Sequence, residues 1–334
     1  MLEYLNSLPK NVENIYLYNK NITELPDLSR FTNLKTLYCN HNQLTSLPPL
    51  PKTLEFLHCD NNQLTKLSDL LIFTNLKKLN CSNNQLTSLP SLPQTLETLH
   101  CSYNQLTSLP PLPNKLEFLH CDNNQLRILS SLPQTLETLY CDNNQLTSLP
   151  SLPKILEILY CSCNQLTYLP PLNNNLKCIC CESNQLTSLP PLNSNLQNLY
   201  CCNNQLTSLP PLNYNLKYIY CSNNLLSSLP PLNYNLRYIN FKNNPIYEII
   251  NNTTDTTDTT DKYNINISKI KEKIIILNQF RSLYYSLKFK KQFRKILWEK
   301  IREPKIQKYY SPDNLIQLLR EKEEEDIDEI LNTW

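Results

Sequence analysis

Ten cysteines stand in one register, at Cys39, Cys59, Cys81, Cys101, Cys121, Cys141, Cys161, Cys181, Cys201 and Cys221. Thiols can bridge, hold zinc or attack an electrophile. Side chains in equivalent places on adjacent parallel strands stay ~4.8 Å apart, whereas a disulfide needs Cβ atoms about 3.8 Å apart. These ten are therefore expected to be free thiols acting as small buried hydrophobes. Cys163, Cys178, Cys180 and Cys202 leave that register and fall on or beside the opposite face. They could gather a soft metal, but their spacing matches no CxxC pair of a tetrahedral site, so no metal is expected.

His58, His100 and His120 share one outward position, and His41 follows its strand. His100 and His120 are expected to be neighbours able to share a proton or a metal with Asp122. No serine, cysteine or third ligand is placed to complete a triad or a three-ligand zinc site. Glycine is absent, which excludes the GxGxxG turn, the P-loop and the GxSxG elbow. The expectation is a non-enzymatic protein without a cofactor.

The elements that position these residues come from a repeat, LxxLxCxxNQLTSLPxLPxx. Its asparagines are Asn42, Asn62, Asn84, Asn104, Asn124, Asn144, Asn164, Asn184, Asn204, Asn224 and Asn244, spaced by 20 residues save one 22-residue unit before Asn84. A degenerate first copy (Val12, Ile15, Leu17, Lys20, Ile22) makes twelve. In Leu54 to Cys59, Leu57 and Cys59 alternate as a strand that buries every second side chain, and Leu64, Leu67 and Leu70 return to the same interior. Stacked neighbours complete a core that no single unit can close. The asparagine amide is expected to satisfy backbone groups where the strand turns away. Asn61-Asn62 and their equivalents are expected to supply positive φ without glycine.

This unit resembles a leucine-rich repeat, and its short length with Leu-Pro-x-Leu-Pro resembles the bacterial-effector subtype, over about residues 12–250. The resemblance implies a repeat solenoid, curved, with a parallel β-sheet on the concave face and extended, polyproline-like segments on the convex side. Departures are Lys20 for the first asparagine, Phe241 for the last cysteine and Ser130 for a proline. Several secreted effectors of this subtype carry a long ubiquitin-ligase domain with a catalytic cysteine after the repeats. Here no cysteine follows Cys221, so that activity is not expected. The repeats, AT-rich composition and basic helical tail also resemble leucine-rich repeat proteins of giant DNA viruses.

Domain organisation is read as a solenoid over 1–250, a low-complexity linker over 251–266 and a helical tail over 267–334. Residues 1–261 carry 15 basic and 18 acidic side chains, and 262–334 carry 16 and 11. In the tail, Ile267 to Ile301 reads as a helix with Ile270, Ile274, Leu277, Tyr284 and Leu287 on one apolar face. Pro304 ends it, and Ser311-Pro312 starts another. Basic residues among Phe289, Phe293 and Trp298 over 288–302 could contact RNA or an anionic membrane surface. The preferred reading is a small helical bundle in which they face the acidic run 321–326, which neutralises the patch. No signal-like or membrane-spanning segment is seen, so a cytoplasmic protein is expected, in the host cytoplasm if viral.

The outward strand positions are the candidate partner-binding site: Tyr38, His58, His100, His120, Tyr140, Tyr160, Tyr200 and Tyr220 in one column, and Phe56, Phe118, Tyr218 and Tyr238 in the next. Rings in a row suit recognition of a protein partner; rings that only stack across strands stabilise the sheet. A charged rim is acidic in the middle (Glu117, Asp122, Glu137, Asp142) and basic towards the end (Lys217, Arg237). The alternative function is an adaptor whose basic tail binds nucleic acid or a ubiquitin-ligase component.

Overall fold

The computed structural model describes residues 2–251, 267–297 and 299. A short helix α1 (Leu2–Ser7) precedes twelve strands of three residues each. These are β1 (Asn14–Tyr16), β2 (Thr36–Tyr38), β3 (Phe56–His58), β4 (Lys78–Asn80), β5 (Thr98–His100), β6 (Phe118–His120), β7 (Thr138–Tyr140), β8 (Ile158–Tyr160), β9 (Cys178–Cys180), β10 (Asn198–Tyr200), β11 (Tyr218–Tyr220) and β12 (Tyr238–Asn240). Helices α2 (Pro245–Asn251) and α3 (Ile267–Leu297) follow. The strands form one parallel sheet in sequence order, and equivalent residues of successive units pair, as Leu139 does with Leu119 and Leu159. The chain is thus a repeat solenoid, with extended proline-rich segments on the face opposite the sheet.

The interior is a stack of thin layers. Leu57, Leu79, Leu99, Leu119, Leu139 and Leu159 are completely buried, as are all ten cysteines of the register. The thiols are free, and several donate to a neighbouring carbonyl, as Cys141 Sγ does to Tyr160 O at 3.3 Å. Burial pushes the Cys39 and Cys81 thiols up to about 12, so they remain neutral and unreactive. Phe31 and Phe73, also buried, fill the layers of the two longest units.

Each ladder asparagine ties two rungs together. Asn144 Nδ2 donates to Cys121 O, Cys141 O and Asp142 O at 3.0–3.2 Å, while its Oδ1 accepts from Leu126 N at 2.9 Å. A second ladder runs along the far side. Thr53, Thr95 and Thr135 donate Oγ1 to Leu34, Leu76 and Leu116 carbonyls in the early units. Asn173, Asn193, Asn213 and Asn233 do the same to Leu156, Leu176, Leu196 and Leu216 later, where Leu-Pro gives way to Leu-Asn.

The expectation for Asn61-Asn62 needs correction. Only the first residue of each pair takes positive φ, and in four units it is not asparagine: His41, Tyr103, Cys163 and Ser183 sit at φ 53–54°. The second residue is fully occupied by the ladder. Its neighbour only has to turn, and the surrounding ladder holds even bulky side chains in the left-handed region at a cost of about 1–2 kcal/mol.

Among the described residues, 2–251 and 267–274 belong to one compact unit and 275–297 to another. At the end of the first, Phe241 replaces the cysteine and packs edge-on to Tyr247 of α2. Ile246 and Ile250, with Ile270 and Ile274 from the start of α3, are buried there. Lys271 Nζ donates to Tyr234 O at 3.2 Å and Lys273 Nζ to Ile250 O at 3.1 Å. The apolar face read over Ile270 to Leu287 stays buried only at its start: Leu277 is half-buried, and Tyr284 and Leu287 are exposed. The reason lies in sequence: Ile275, Ile276, Phe280, Leu283, Tyr285 and Phe289 spread apolar groups around the helix, and all are exposed. The linker from 252 onward, the second tail helix and the acidic run lie outside the described residues.

Candidate functional site

Every strand presents its first and third residues on one face and its middle residue to the core, because side chains alternate along extended backbone. In-register parallel pairing then lines equivalent side chains into columns. Tyr38, Phe56, His58, His100, Phe118, His120, Tyr140, Tyr160, Tyr200, Tyr218, Tyr220 and Tyr238 are all half-buried, on the face opposite the cysteines. They are less exposed than groups standing free in a row would be, because each ring covers part of the next. Tyr38 and His58 stack at 4.5 Å, His100 and His120 at 4.3 Å, and Tyr200 and Tyr220 at 4.9 Å between centroids. His120–Tyr140 and Tyr140–Tyr160 continue the column at 4.3 and 4.6 Å with tilted rings, and Tyr220 meets Tyr238 at 5.0 Å. Each ring is thus partly covered by its neighbours and partly open to solvent.

Sequence reasoning missed Tyr16, which is 50% exposed and stacks on Tyr38 at 5.3 Å. The signal was present: Ile15 and Leu17 flank it as Leu37 and Cys39 flank Tyr38. Conversely, Tyr103, Tyr168, Tyr214 and Tyr234 are exposed outside the strand columns.

Glu117, Asp122 and Asp142 are half-buried and Glu137 is exposed; Lys217 is half-buried, donating to Gln197 Oε1 at 3.0 Å, and Arg237 is exposed. Part of the acidic row is neutralised: Glu55 pairs with Lys77 at 2.8 Å and Glu157 with Lys177 at 2.7 Å. Between these pairs Glu97, Glu117 and Glu137 stand on three successive rungs; Glu97 lies near enough to Lys77 to help raise it, while Glu117 and Glu137 form no ion pair among the described residues. The expected sharing between His100, His120 and Asp122 takes a different form. The imidazoles stack, while Asp122 accepts from Ser102 Oγ and, at 2.8 Å, from Asn123 Nδ2. The four stray cysteines do not converge: Cys163 is exposed in a turn, Cys178 and Cys202 are buried, and Cys180 is half-buried. Among the described residues no group of three or more His, Cys, Asp or Glu side chains is placed to hold a metal ion.

Burial shifts the face's titrations in opposite directions. Desolvation, then His120, Lys78 and His58, lowers His100 to about 4, against a small opposing pull from Asp122. Desolvation raises Asp142 to about 6, with Asp122 adding to it and hydrogen bonds from Ser162 opposing. For His100 the unfolded chain binds more protons between about 4 and 6.5, so this contribution to stability is lost as pH falls through that window. For Asp142 the folded chain binds more protons between 3.8 and about 6, so its penalty grows as pH rises and is complete above about 6. Asp142→Asn is expected to stabilise the protein at pH 7 by on the order of 1–2 kcal/mol after allowance for solvent screening. His100→Tyr should flatten the loss of stability on acidification. Urea unfolding of each variant at pH 4.5 and 7 checks both signs.

The structure is a solenoid of stacked single-strand units whose open sheet face carries columns of aromatic side chains. A family model described as leucine-rich repeats (two copies) matches residues 10–52, 52–94, 94–134, 134–174 and 194–234, and the chain belongs to the leucine-rich repeat family. Proteins of this family are interaction modules, typically non-enzymatic.

The fold is similar to YopM from Yersinia enterocolitica WA-314, at 34% identity and TM-score 0.59, over 71% of this chain and 61% of that one. It is also similar to YopM from Yersinia pestis, a leucine-rich effector protein, at 34% identity and TM-score 0.64, over 71% and 73%. The expected likeness to the bacterial-effector subtype is thereby met. The chain spans about three fifths of the Yersinia enterocolitica protein. A third structure, an octameric complex of Latrophilin 3, Unc5D and the leucine-rich repeats of FLRT2, is similar at 26% identity and TM-score 0.54, over 66% and 78%. Comparison with curated proteins finds no match. Among the described residues no helix is long and apolar enough to cross a membrane.

Proposed function

We propose that the concave face captures a protein partner through its aromatic column and acidic middle, without catalysis. The observation that carries this reading is the coincidence on β5 to β7 of stacked, half-buried rings with two adjacent glutamates, Glu117 and Glu137, that form no ion pair among the described residues. Like charges ~4.8 Å apart on neighbouring rungs repel one another and serve no stabilising purpose within the sheet. A basic segment laid along them would relieve that repulsion and cover the rings. The structurally similar FLRT2 repeats sit in a protein assembly, which supports the same use of the fold. A host protein as partner and a viral origin belong to this proposal and rest on composition.

The double variant Glu117→Lys/Glu137→Lys is expected to reduce capture of the partner at least about tenfold, with an unchanged melting temperature. Quantitative affinity capture beside thermal unfolding checks it, and unchanged capture removes the central face from the reading.

One observation favours a second reading for the tail: Lys288, Lys290, Lys291, Arg294 and Lys295 of α3 are exposed beside exposed Phe289. Salt-sensitive retention of the full chain on RNA, abolished by reversing these charges, would assign the tail to nucleic acid.

A further inference from the structure

The aromatic column has a gap at β9. Contiguous ring contacts run from His100 to Tyr160 and resume from Tyr200 to Tyr238, but the rung between offers Cys180. We propose that this gap is a slot for one arginine side chain of a protein partner, clamped between Tyr160 and Tyr200 and paired with Asp142 and Glu182. The proposal rests on the reading that the concave face binds protein, and specifies the chemistry it selects.

The dimensions come from the sheet. Tyr160 and Tyr200 stand on rungs two apart, ~9.6 Å, with the Tyr160 hydroxyl leaning to 3.9 Å from Cys178 Sγ of the intervening strand, so a planar group entering between them meets both rings within the reach of stacking and cation–π attraction. The floor is small and fixed. Ser162 Oγ donates to Cys180 Sγ at 3.0 Å and accepts from Glu182 N at 3.1 Å, while Ser162 N donates to Asp142 Oδ1 at 2.6 Å. Ser162 therefore ties the Asp142 carboxylate, the Cys180 thiol and the Glu182 backbone together at one place on the open face. Both carboxylates are close enough to Cys180 to help raise its thiol, after the larger effect of burial.

Neither carboxylate forms an ion pair among the described residues, and Lys177, the basic residue of this strand's approach, is held by Glu157 at 2.7 Å. A planar cation satisfies both features at once, because its faces meet the rings and its edge meets the carboxylates. Lysine offers a point charge without a face.

The other gap shows why size alone is insufficient. Asn80 also interrupts the rings, between His58 and His100, but Lys78 lies near enough to both imidazoles to lower them. A cation arriving there meets a like charge.

The test titrates the full chain, carrying carbon-13 aromatic label in its tyrosines, with three capped tripeptides, Ac-Ser-Xaa-Ser-amide, where Xaa is arginine, lysine or citrulline. The expected result is saturable shifts of Tyr160 and Tyr200 with the arginine peptide, at an affinity about tenfold or more above the other two. Cys180→Tyr completes the column with the residue its neighbours carry and should abolish the preference with an unchanged melting temperature. Cys180→Ser, which leaves the slot open, should retain it. Equal binding of arginine and lysine, undiminished binding to Cys180→Tyr, or loss in Cys180→Ser as well would overturn the slot. If the slot fails while Glu117→Lys/Glu137→Lys still abolishes partner capture, the docking face stands without it. If capture ignores both sets of variants, the docking reading itself falls.

Discussion

Asn144→Ala is expected to cost about 2–4 kcal/mol, far more than its small change in volume implies. The side chain is buried and makes four hydrogen bonds to two rungs. Truncation leaves Leu126 N–H without its acceptor, where water has little access, while Cys121 O and Cys141 O each lose one of two donors and keep the Asn124 and Asn164 amides. An unpartnered buried group costs roughly 1–3 kcal/mol. Asn144→Asp should be at least as damaging, because it keeps the acceptor but replaces the donor with a charge aimed at three carbonyls. The adjacent Asn143 gives the control. Its φ is 52°, so Asn143→Gly should leave stability unchanged or slightly raised. Urea unfolding followed by circular dichroism separates the two: equal losses at Asn143 and Asn144 would refute the division of labour between turn and ladder.

The second large effect is expected at Leu139→Ala. Leu139 is completely buried in the middle of β7 between Leu119 and Leu159. The lost methyl groups and residual cavity should cost about 3 kcal/mol. The consequence for cooperativity is more diagnostic than the magnitude. A solenoid joins its ends only through nearest-neighbour interfaces, so a weak central layer uncouples the halves. The unfolding transition should broaden or split in two, whereas Tyr140→Ala, one residue away on the open face, should lose only about 1 kcal/mol of ring contact and keep a single transition. A single sharp transition in Leu139→Ala, shifted without broadening, would show that the array is more strongly coupled than nearest-neighbour contacts allow.

Much of the architecture was legible in sequence because each unit repeats the same local problem. Leu57 and Cys59 two residues apart define a strand with one buried face, and Asn62 three residues later marks the point where backbone groups need a partner. Repetition at a fixed period then dictates stacking, since no unit closes its own core. The half-buried state of the rings was less legible. Whether Tyr140 is free or covered depends on its angle to His120 and Tyr160, residues 20 positions away in either direction. The tail illustrates the same limit. Helical periodicity placed Ile270 and Tyr284 on one stripe, but only the first finds a surface to bury against.

What sequence alone determined is therefore the order of the strands, the identity of the buried columns and the bonding role of the asparagines. Those follow from alternation along extended backbone and from obligatory hydrogen bonding, both of which act within one unit and its immediate neighbour. Only the tertiary structure decided which half of each Asn pair takes the left-handed turn and how threonine hands its carbonyl to asparagine along the far side. It also decided that Ser162 ties the Asp142 carboxylate, the Cys180 thiol and the Glu182 backbone together beneath a break in the rings. Those outcomes hang on side-chain direction across rungs, which the spacing of residues along the chain does not specify.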